Sequence, residues 1–193
     1  MGCSEQLDGE MTIVMGAEAM GAAIRRMAQE IVAAHPDIES LALLGILRRG
    51  RPLADRLAAH IAEMTEITPR VGSLSTTLYR DDLRAGMGVV KVRTAETHFD
   101  FPLDGLTVVL VDDVIAAGRT IRAALDELMD YGRPARIQLA CLVDRGCREL
   151  PIQPDYLGQT VATKCNERIY VQLAEIDGQD VVLIENKDPE AEI

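Results

Sequence analysis

The chain has few aromatic residues and no long apolar run. Aromatic residues make up 3% of its 193 positions and Trp is absent, so the folded core must be built from Ala, Leu, Val, Ile and Met. No apolar stretch approaches the ~20 residues that a membrane-spanning helix needs, and the acidic N-terminus is unlike a signal peptide. We therefore expect a cytoplasmic protein with a single domain over residues 1–193, frayed at about 1–12 and 186–193.

Metal-binding spacings and excess positive charge are missing as well. The chain has four cysteines and three histidines, and the cysteines show no paired spacing of the zinc-site kind, so a zinc site is not expected. Lys and Arg number 20 against 31 Asp and Glu, which gives a net charge of -11. This charge argues against broad nonspecific affinity for nucleic acid, but it is compatible with one local basic patch.

Short apolar runs alternate along the chain with segments of helical periodicity. The runs are apolar throughout, as strands buried on both faces are, and they cover residues 41–46, 106–111 and 137–143. Apolar side chains recur at spacings of three and four in residues 17–34, 53–64 and the stretch after Gly118. Two strand-like segments, 169–173 and 181–184, end the pattern. The alternation predicts an α/β domain with a mainly parallel central sheet flanked by helices.

Residues 108–120 combine a strand, an acid pair and a helix start, in the order V-V-L-V-D-D-V-I-A-A-G-R-T. The acid pair, Asp112 and Asp113, stands where the strand should leave the sheet, which is where open α/β sheets bind ligands. The free N–H groups of a helix start bind phosphate, and adjacent carboxylates accept hydrogen bonds from a vicinal diol. The pattern therefore suits a sugar phosphate. A plain strand end with a helix cap, as in receiver domains or phosphatases, fits the residues about equally well.

The same thirteen residues resemble the phosphoribosyl pyrophosphate motif of the type I phosphoribosyltransferases. The apolar run, the acid pair and the Gly-Arg-Thr triplet all fall at the family's spacing. The resemblance implies that Asp112 and Asp113 are catalytic and hold the ribose hydroxyls, directly or through the water of a bound Mg²⁺. The residues implied to wrap the 5′-phosphate are Ala116, Ala117, Gly118, Arg119 and Thr120. Relatives usually carry Tyr and Thr at the two alanine positions, so one hydroxyl donor is missing and weakened activity is expected.

Two other segments extend this resemblance. Gly45 to Gly50, G-I-L-R-R-G, follows the first apolar run as the family's pyrophosphate loop does. It implies that Arg48, Arg49 and Gly50 bind pyrophosphate, with Arg49 in a catalytic role, because a planar guanidinium suits a di-anion. Taken alone, the two arginines fit a solvated basic turn equally well. Residues 75–82, S-T-T-L-Y-R-D-D, resemble the flap that closes over the substrate and imply contacts from Tyr79 and Arg80.

The C-terminal half is similar to the pyrimidine-operon regulators that double as uracil phosphoribosyltransferases. The likeness as a whole covers roughly residues 17–185. The segments that match best lie in the C-terminal half, at residues 132–134, 142–152 and 155–158. It implies the type I phosphoribosyltransferase fold, with a flap and a small hood. The residues implied to bind uracil are Val143, Asp144, Arg145 and Gly146.

The reaction implied by this resemblance makes uridine monophosphate (UMP) and pyrophosphate from uracil and phosphoribosyl pyrophosphate. A pyrimidine nitrogen displaces pyrophosphate through a transition state like the oxocarbenium ion of glycosidic cleavage. No protein nucleophile is required, in agreement with the lack of a Ser-His-Asp or Cys-His pattern. Mg²⁺ and arginines would neutralise the leaving pyrophosphate.

The resemblance also implies a homodimer, or a higher homo-oligomer, that binds pyrimidine-operon leader mRNA with UMP or UTP as the signal. Arg148 falls on a basic position of the family. Arg25, on the first helix, neighbours it in the family's pattern of basic residues. Gln153 and Gln159, however, stand where relatives often place Arg and Lys. Two alternatives stay open, a nucleotide sensor with this fold and a salvage enzyme without RNA regulation.

Overall fold

The computed structural model describes residues 10–76, 97–164 and 167–186, which form two β-sheets and their flanking helices. The elements, in chain order, are β1 (Glu10–Gly16), α1 (Ala17–Ala34), β2 (Leu41–Ile46), α2 (Gly50–Thr65), β3 (Arg70–Leu74), β4 (Thr107–Ile115), α3 (Arg119–Met129), β5 (Arg136–Asp144), β6 (Tyr156–Thr160), β7 (Arg168–Gln172), α4 (Ala174–Asp177) and β8 (Val181–Asn186). Within the described ranges, no helix has the length and apolarity that crossing a bilayer requires.

The larger sheet is parallel and has the strand order β3-β2-β4-β5-β6. Its central strand is β4, whose apolar residues are buried because helices cover both faces of the sheet. Leu44, Leu110 and Leu139 lie side by side in the shared register. The predicted α/β fold with a central parallel sheet is therefore confirmed. Its consequence for function is that β2, β4 and β5 end along the same edge of the sheet.

Two hydrophobic clusters fill the space between this sheet and its helices. One cluster lies under α1 and α2 and contains the predicted apolar stripe of α1, which consists of Met20, Ile24, Met27 and Ile31. The other lies under α3 and includes Ile121 and Leu128. Val109 belongs to the first cluster and Leu110 to the second, because successive side chains of a strand point to opposite faces. Since both faces are covered, the strand ends are the part of the sheet that can receive a ligand.

The smaller sheet is antiparallel, has the order β1-β8-β7, and forms the hood implied by the family resemblance. The strand-like segments 169–173 and 181–184 of the sequence correspond to β7 and β8. β1 begins at Glu10, inside the range 1–12 for which fraying was expected. Pairing with β8 orders this segment. Residues 77–82 of the expected flap lie outside the described residues.

Candidate functional site

The loops that follow β2, β4 and β5 meet at the carboxyl edge of the parallel sheet. The β2 loop carries Arg48 and Arg49, the end of β4 carries Asp112 and Asp113, and the β5 loop carries Arg145. The five predicted residues come from three distant parts of the sequence, and the parallel topology brings their strands' ends together. This edge is therefore the candidate functional site.

Asp112 and Asp113 form the acidic part of the site. The Asp112 side chain is buried, and its Oδ1 atom accepts a hydrogen bond from the backbone N–H of Asp113 at 3.0 Å. Burial raises the pKa of Asp113, while the charge of Arg49 and a hydrogen bond to Asp112 oppose that rise. A cation bound next to the pair would favour the ionised carboxylate, because opposite charges lower a carboxyl pKa.

The oxygen donors of this pair suit a hard cation such as Mg²⁺. Among the residues that the structure describes, no group of three or more His, Cys, Asp or Glu side chains is arranged to hold a metal ion. Mg²⁺ commonly takes one or two carboxylates and completes its shell with water and substrate phosphate oxygens. The residues present therefore fit Mg²⁺ held through water, and they do not form an all-protein cage.

Arg48 and Arg49 lie in the tight loop between β2 and α2. A Cβ atom on Gly45 would collide with the Gly50 and Arg51 backbone, and one on Gly50 would collide with the carbonyl oxygen of Val111. The two glycines thus let the loop pack against β4 directly before the acid pair. The Leu47–Arg48 peptide in this loop is cis.

The Arg49 guanidinium lies between the acid pair and the hood. Its Nη2 atom donates to both carboxylate oxygens of Asp177, at 3.1 and 3.2 Å. Its Nε atom is buried and has no hydrogen-bond partner in the described part of the chain. Arg48, in contrast, is exposed. The contact with Asp177 was not predicted, since nothing in the sequence signals that α4 of the hood reaches this loop.

The loop after β4 has the features of a phosphate-binding loop. Ala116, Ala117 and Thr120 are half-buried, and Gly118 has a φ of 92°, a left-handed conformation that favours glycine. Gly118 is the N-cap of α3, and among the residues that the structure describes no side chain caps this helix start. Helix geometry directs the N–H groups of the first turn out of the helix start, which is the arrangement that binds anions. Arg119 extends to Glu149, with Nε 2.8 Å from the carboxylate.

The loop after β5 carries the residues predicted to bind uracil. Val143 is fully buried in the core, so a ligand contact at this position would use its backbone. The Asp144 carboxylate accepts hydrogen bonds from the Gly146 N–H, at 2.9 Å, and from Arg148, at 2.7 Å. The backbone N–H of Arg145 donates to the carbonyl of Ile115 at 3.1 Å, and burial lowers the pKa of the Arg145 guanidinium. The bond to Ile115 attaches the β5 loop to the end of β4, and the Asp144 bonds hold the loop itself in shape.

The two residues predicted to bind RNA have different surroundings. Arg25 is exposed on α1. Arg148 has a side chain that is only 15% exposed, and it donates hydrogen bonds into the site loops. Tyr79 and Arg80, predicted to contact pyrophosphate, lie outside the described residues.

Comparisons with known proteins agree on one family. The phosphoribosyl transferase domain family matches residues 14–172. The bifunctional protein PyrR of Thermus thermophilus is 52% identical over 169 residues, which cover 88% of this chain and 92% of the relative. The bifunctional protein PyrR of Thermus aquaticus is 51% identical over 175 residues, with coverage of 91% and 96%.

Solved structures of the same fold are more distant in sequence. A hypoxanthine-guanine phosphoribosyltransferase from Bacillus anthracis aligns with a TM-score of 0.65 at 17% identity, covering 90% of this chain and 98% of that one. The hypoxanthine phosphoribosyltransferase of Trypanosoma cruzi in complex with its product IMP gives 0.67 at 16% identity, with 94% of each chain covered. At these identities the likeness establishes the fold.

Proposed function

Because the chain belongs to the phosphoribosyl transferase family and, within it, to the bifunctional PyrR proteins, we propose that it is both an enzyme and a regulator. The enzyme transfers the phosphoribosyl group of phosphoribosyl pyrophosphate to uracil, which gives UMP and pyrophosphate. The regulator binds the leader mRNA of a pyrimidine operon and attenuates its transcription in response to UMP or UTP. Both roles belong in the cytoplasm.

One observation carries the enzyme half. An acid pair, an arginine loop and an uncapped helix start lie together at the carboxyl edge of the sheet. These groups match the three parts of phosphoribosyl pyrophosphate, namely a diol, a pyrophosphate and a 5′-phosphate. We assign Asp112 and Asp113 to the ribose hydroxyls. Residues 116–120 are assigned to the 5′-phosphate.

The leaving group is assigned to the arginine loop. Arg49 has a buried Nε donor without a partner in the described residues, and its charge lies close enough to Asp113 to affect that carboxyl pKa. We propose that Arg49 moves its donors from Asp177 to pyrophosphate, with Arg48, the Gly50 backbone and the flap residues Tyr79 and Arg80 adding contacts. Mg²⁺ held through water at Asp112 and Asp113 would supply further positive charge beside the pyrophosphate oxygens.

Uracil is assigned to the loop after β5, at Val143, Asp144, Arg145 and Gly146. This loop is fixed to the end of β4 by the bond from Arg145 N–H to Ile115, so the base and the ribose are held by a common frame. Holding two reactants in a fixed relative position is itself a large part of catalysis, because it removes the entropy cost of bringing them together. A pyrimidine nitrogen then replaces pyrophosphate at C1 of the ribose.

The RNA half rests on the family and on a local patch. Subunits are proposed to pair as a homodimer, or within a higher homo-oligomer, that places basic residues of two chains on one face. Arg25 is exposed and available for such a face. The net charge of -11 requires that RNA affinity come from this patch and not from the overall field.

A panel of bases tests the enzyme half. Uracil, cytosine, hypoxanthine and orotate are each supplied with phosphoribosyl pyrophosphate and Mg²⁺, and nucleotide formation is followed by chromatography. We expect UMP from uracil and no comparable product from the other bases. Product from hypoxanthine instead would assign the chain to the activity of its structural neighbours, and no product at all would favour a nucleotide sensor.

A further inference from the structure

Arg148 lies behind the phosphate loop, residues 116–118, and its donors are directed inward. Its Nη1 atom donates to the carbonyl of Ala116 at 2.9 Å, and its Nε atom donates to the carbonyl of Ile152 at 2.8 Å. Its Nη2 atom donates to Asp144 at 2.7 Å. One guanidinium therefore joins the loop after β4 to the loop after β5. Longer contacts at 3.3 Å to the Gly146 carbonyl and the Gln153 side chain use the same fork of donors.

The next two residues hold the phosphate loop at its second carbonyl. The backbone N–H groups of Glu149 and Leu150 both donate to the carbonyl oxygen of Ala117, at 3.1 and 3.0 Å. The Glu149 side chain pairs with Arg119, the first residue of α3. Residues 148–150 thus bind two successive carbonyls of the loop and the start of the helix that follows it.

The orientation of these carbonyls determines the orientation of the loop's donors. In a trans peptide the C=O group and the N–H group of the next residue point in opposite directions. The Ala116 carbonyl points at Arg148, so the N–H of Ala117 points away from it. The Ala117 carbonyl points at residues 149 and 150, so the N–H of Gly118 also points away from them. Two consecutive N–H groups are thereby held in the direction opposite to residues 148–150.

We propose that Arg148 is a positioning residue for the 5′-phosphate of phosphoribosyl pyrophosphate and UMP, acting through the Ala116–Ala117 peptide. The inference rests on the proposed phosphoribosyltransferase function. Ala117 has no side-chain hydroxyl, so a phosphate in this loop relies more heavily on the backbone N–H donors and hence on the groups that hold their peptides in place. The same guanidinium fixes Asp144, which ties the phosphate loop to the loop assigned to uracil.

The comparison of UMP with uridine isolates the phosphate contribution. Dissociation constants for the two ligands are measured by calorimetry on the wild type, Arg148→Ala, Arg148→Lys and a control, Arg122→Ala. Arg122, in contrast, has a side chain that is 66% exposed on α3, and it pairs with Asp126 at 3.5 Å. The control removes the same charge without touching the phosphate loop.

We expect the preference for UMP over uridine to fall by about ten- to a hundredfold in Arg148→Ala, the range of a lost charged hydrogen bond. Arg148→Lys should recover little of it, because an ammonium lacks the planar fork that serves several acceptors. Arg122→Ala should keep the wild-type ratio. A merely structural loss would weaken both ligands and leave their ratio unchanged.

An unchanged UMP-to-uridine ratio in Arg148→Ala overturns the inference. Thermal unfolding of each variant shows whether it is folded, and if Arg148→Ala is not, the ratio in Arg148→Lys decides in the same way. A different result would show that the proposed function is wrong: the wild-type protein would bind UMP no better than uridine. That result would overturn the inference as well.

Discussion

At the scale of single residues, Asp113 combines a functional need with a cost in stability. The carboxylate has to be ionised to accept hydrogen bonds from a diol or to attract Mg²⁺, yet burial raises its pKa. A group whose pKa is higher in the folded state opposes folding above that pKa, and the cost is absent below the unfolded pKa. The proposed role of Asp113 therefore carries a cost in the free energy of unfolding.

A pH profile tests this view of Asp113. We expect kcat/KM to fall on the acid side at a pH above the ordinary aspartate range, because protonation removes the acceptor. Raising Mg²⁺ should move this fall to lower pH, and Asp113→Asn should remove it. At neutral pH the same variant should have a higher Tm than the wild type. If neither Mg²⁺ nor the substitution changes the fall of kcat/KM in acid, that fall belongs to the titration of another group.

Ala117 tests the missing hydroxyl of the phosphate loop. Ala117→Thr should lower the KM for phosphoribosyl pyrophosphate by up to about tenfold, the worth of one neutral hydrogen bond. Ala117→Val is the matched control, since Val has nearly the shape of Thr without its hydroxyl. Steady-state kinetics with varied phosphoribosyl pyrophosphate measure both variants. An unchanged or higher KM in the Thr variant would contradict the prediction.

The sequence indicates which residues come together at the candidate site more clearly than it indicates the contacts they make there, for a physical reason. Asp112, Asp113 and Arg49 stand next to strand ends, and the parallel topology turns that one-dimensional position into a shared edge. The inward hydrogen bonds of Arg148 were not foreseen, because the family resemblance assigned this residue to RNA binding and arginine side chains are mostly exposed. The pairing of Arg49 with Asp177 was also missed.

At the scale of elements, the hood is fastened to α2 by a charged cluster. Arg56 of α2 donates to Glu175 at 2.6 Å and to Asp180 at 2.7 Å, and its side chain is 20% exposed. Hydrogen bonds from Arg56 lower the pKa of both carboxyls. Asp177, the partner of Arg49, lies between the two acids in the sequence, so the cluster also fixes the segment that faces the site.

Removing Arg56 tests this connection. We expect Arg56→Ala to lower the free energy of unfolding by about 1–3 kcal/mol at neutral pH, because two carboxylates lose a charged, partly buried partner. Carboxyls with lowered folded pKa values stabilise the fold above their unfolded pKa, and the effect disappears as pH falls through the folded pKa. The difference between variant and wild type in urea unfolding should therefore shrink in acid.

The control for this experiment is Arg51→Ala on the same helix. Arg51 forms an exposed pair with Asp55 at a spacing of four residues, and such pairs contribute about 0.3–0.5 kcal/mol. If Arg56→Ala costs no more than Arg51→Ala, the cluster does not hold the hood.

Elements were predicted where their signal was local. Continuous apolar runs predict strands at β2, β4 and β5, and apolar stripes predict helices at α1 and α2. These patterns are local and do not depend on the rest of the chain. β1 was missed because it gains order from pairing with β8, at the opposite end of the sequence. β6 was missed because its short sequence, YLGQT, resembles a loop until it pairs with β5.

At the scale of the whole molecule, RNA affinity has to overcome a net charge of -11. A residue that contacts phosphate releases a counterion, so its removal lowers the salt dependence of binding. Arg25→Ala should reduce the slope of log affinity against log salt by roughly one. Because the Arg148 side chain is directed inward, Arg148→Ala should weaken binding with no change in slope. UMP should strengthen leader binding by the wild type.

Titrations of leader RNA at several salt concentrations measure these slopes. An unrelated hairpin controls for general affinity, and Arg122→Ala controls for the loss of one surface charge. No preference for the pyrimidine leader over the unrelated hairpin would contradict the regulatory half of the proposal and leave the enzyme half intact.

The most direct test is the Mg²⁺-dependent conversion of uracil and phosphoribosyl pyrophosphate to UMP by the wild type, Asp113→Asn and Arg49→Ala. We expect the wild type to form UMP. In each variant kcat/KM should fall by about tenfold to a hundredfold, because each loses one charged contact with the substrate. Arg51→Ala, beside the loop but paired with Asp55, should keep wild-type activity. Wild-type kcat/KM in both site variants would show that the carboxyl edge of the sheet is not where the reaction takes place.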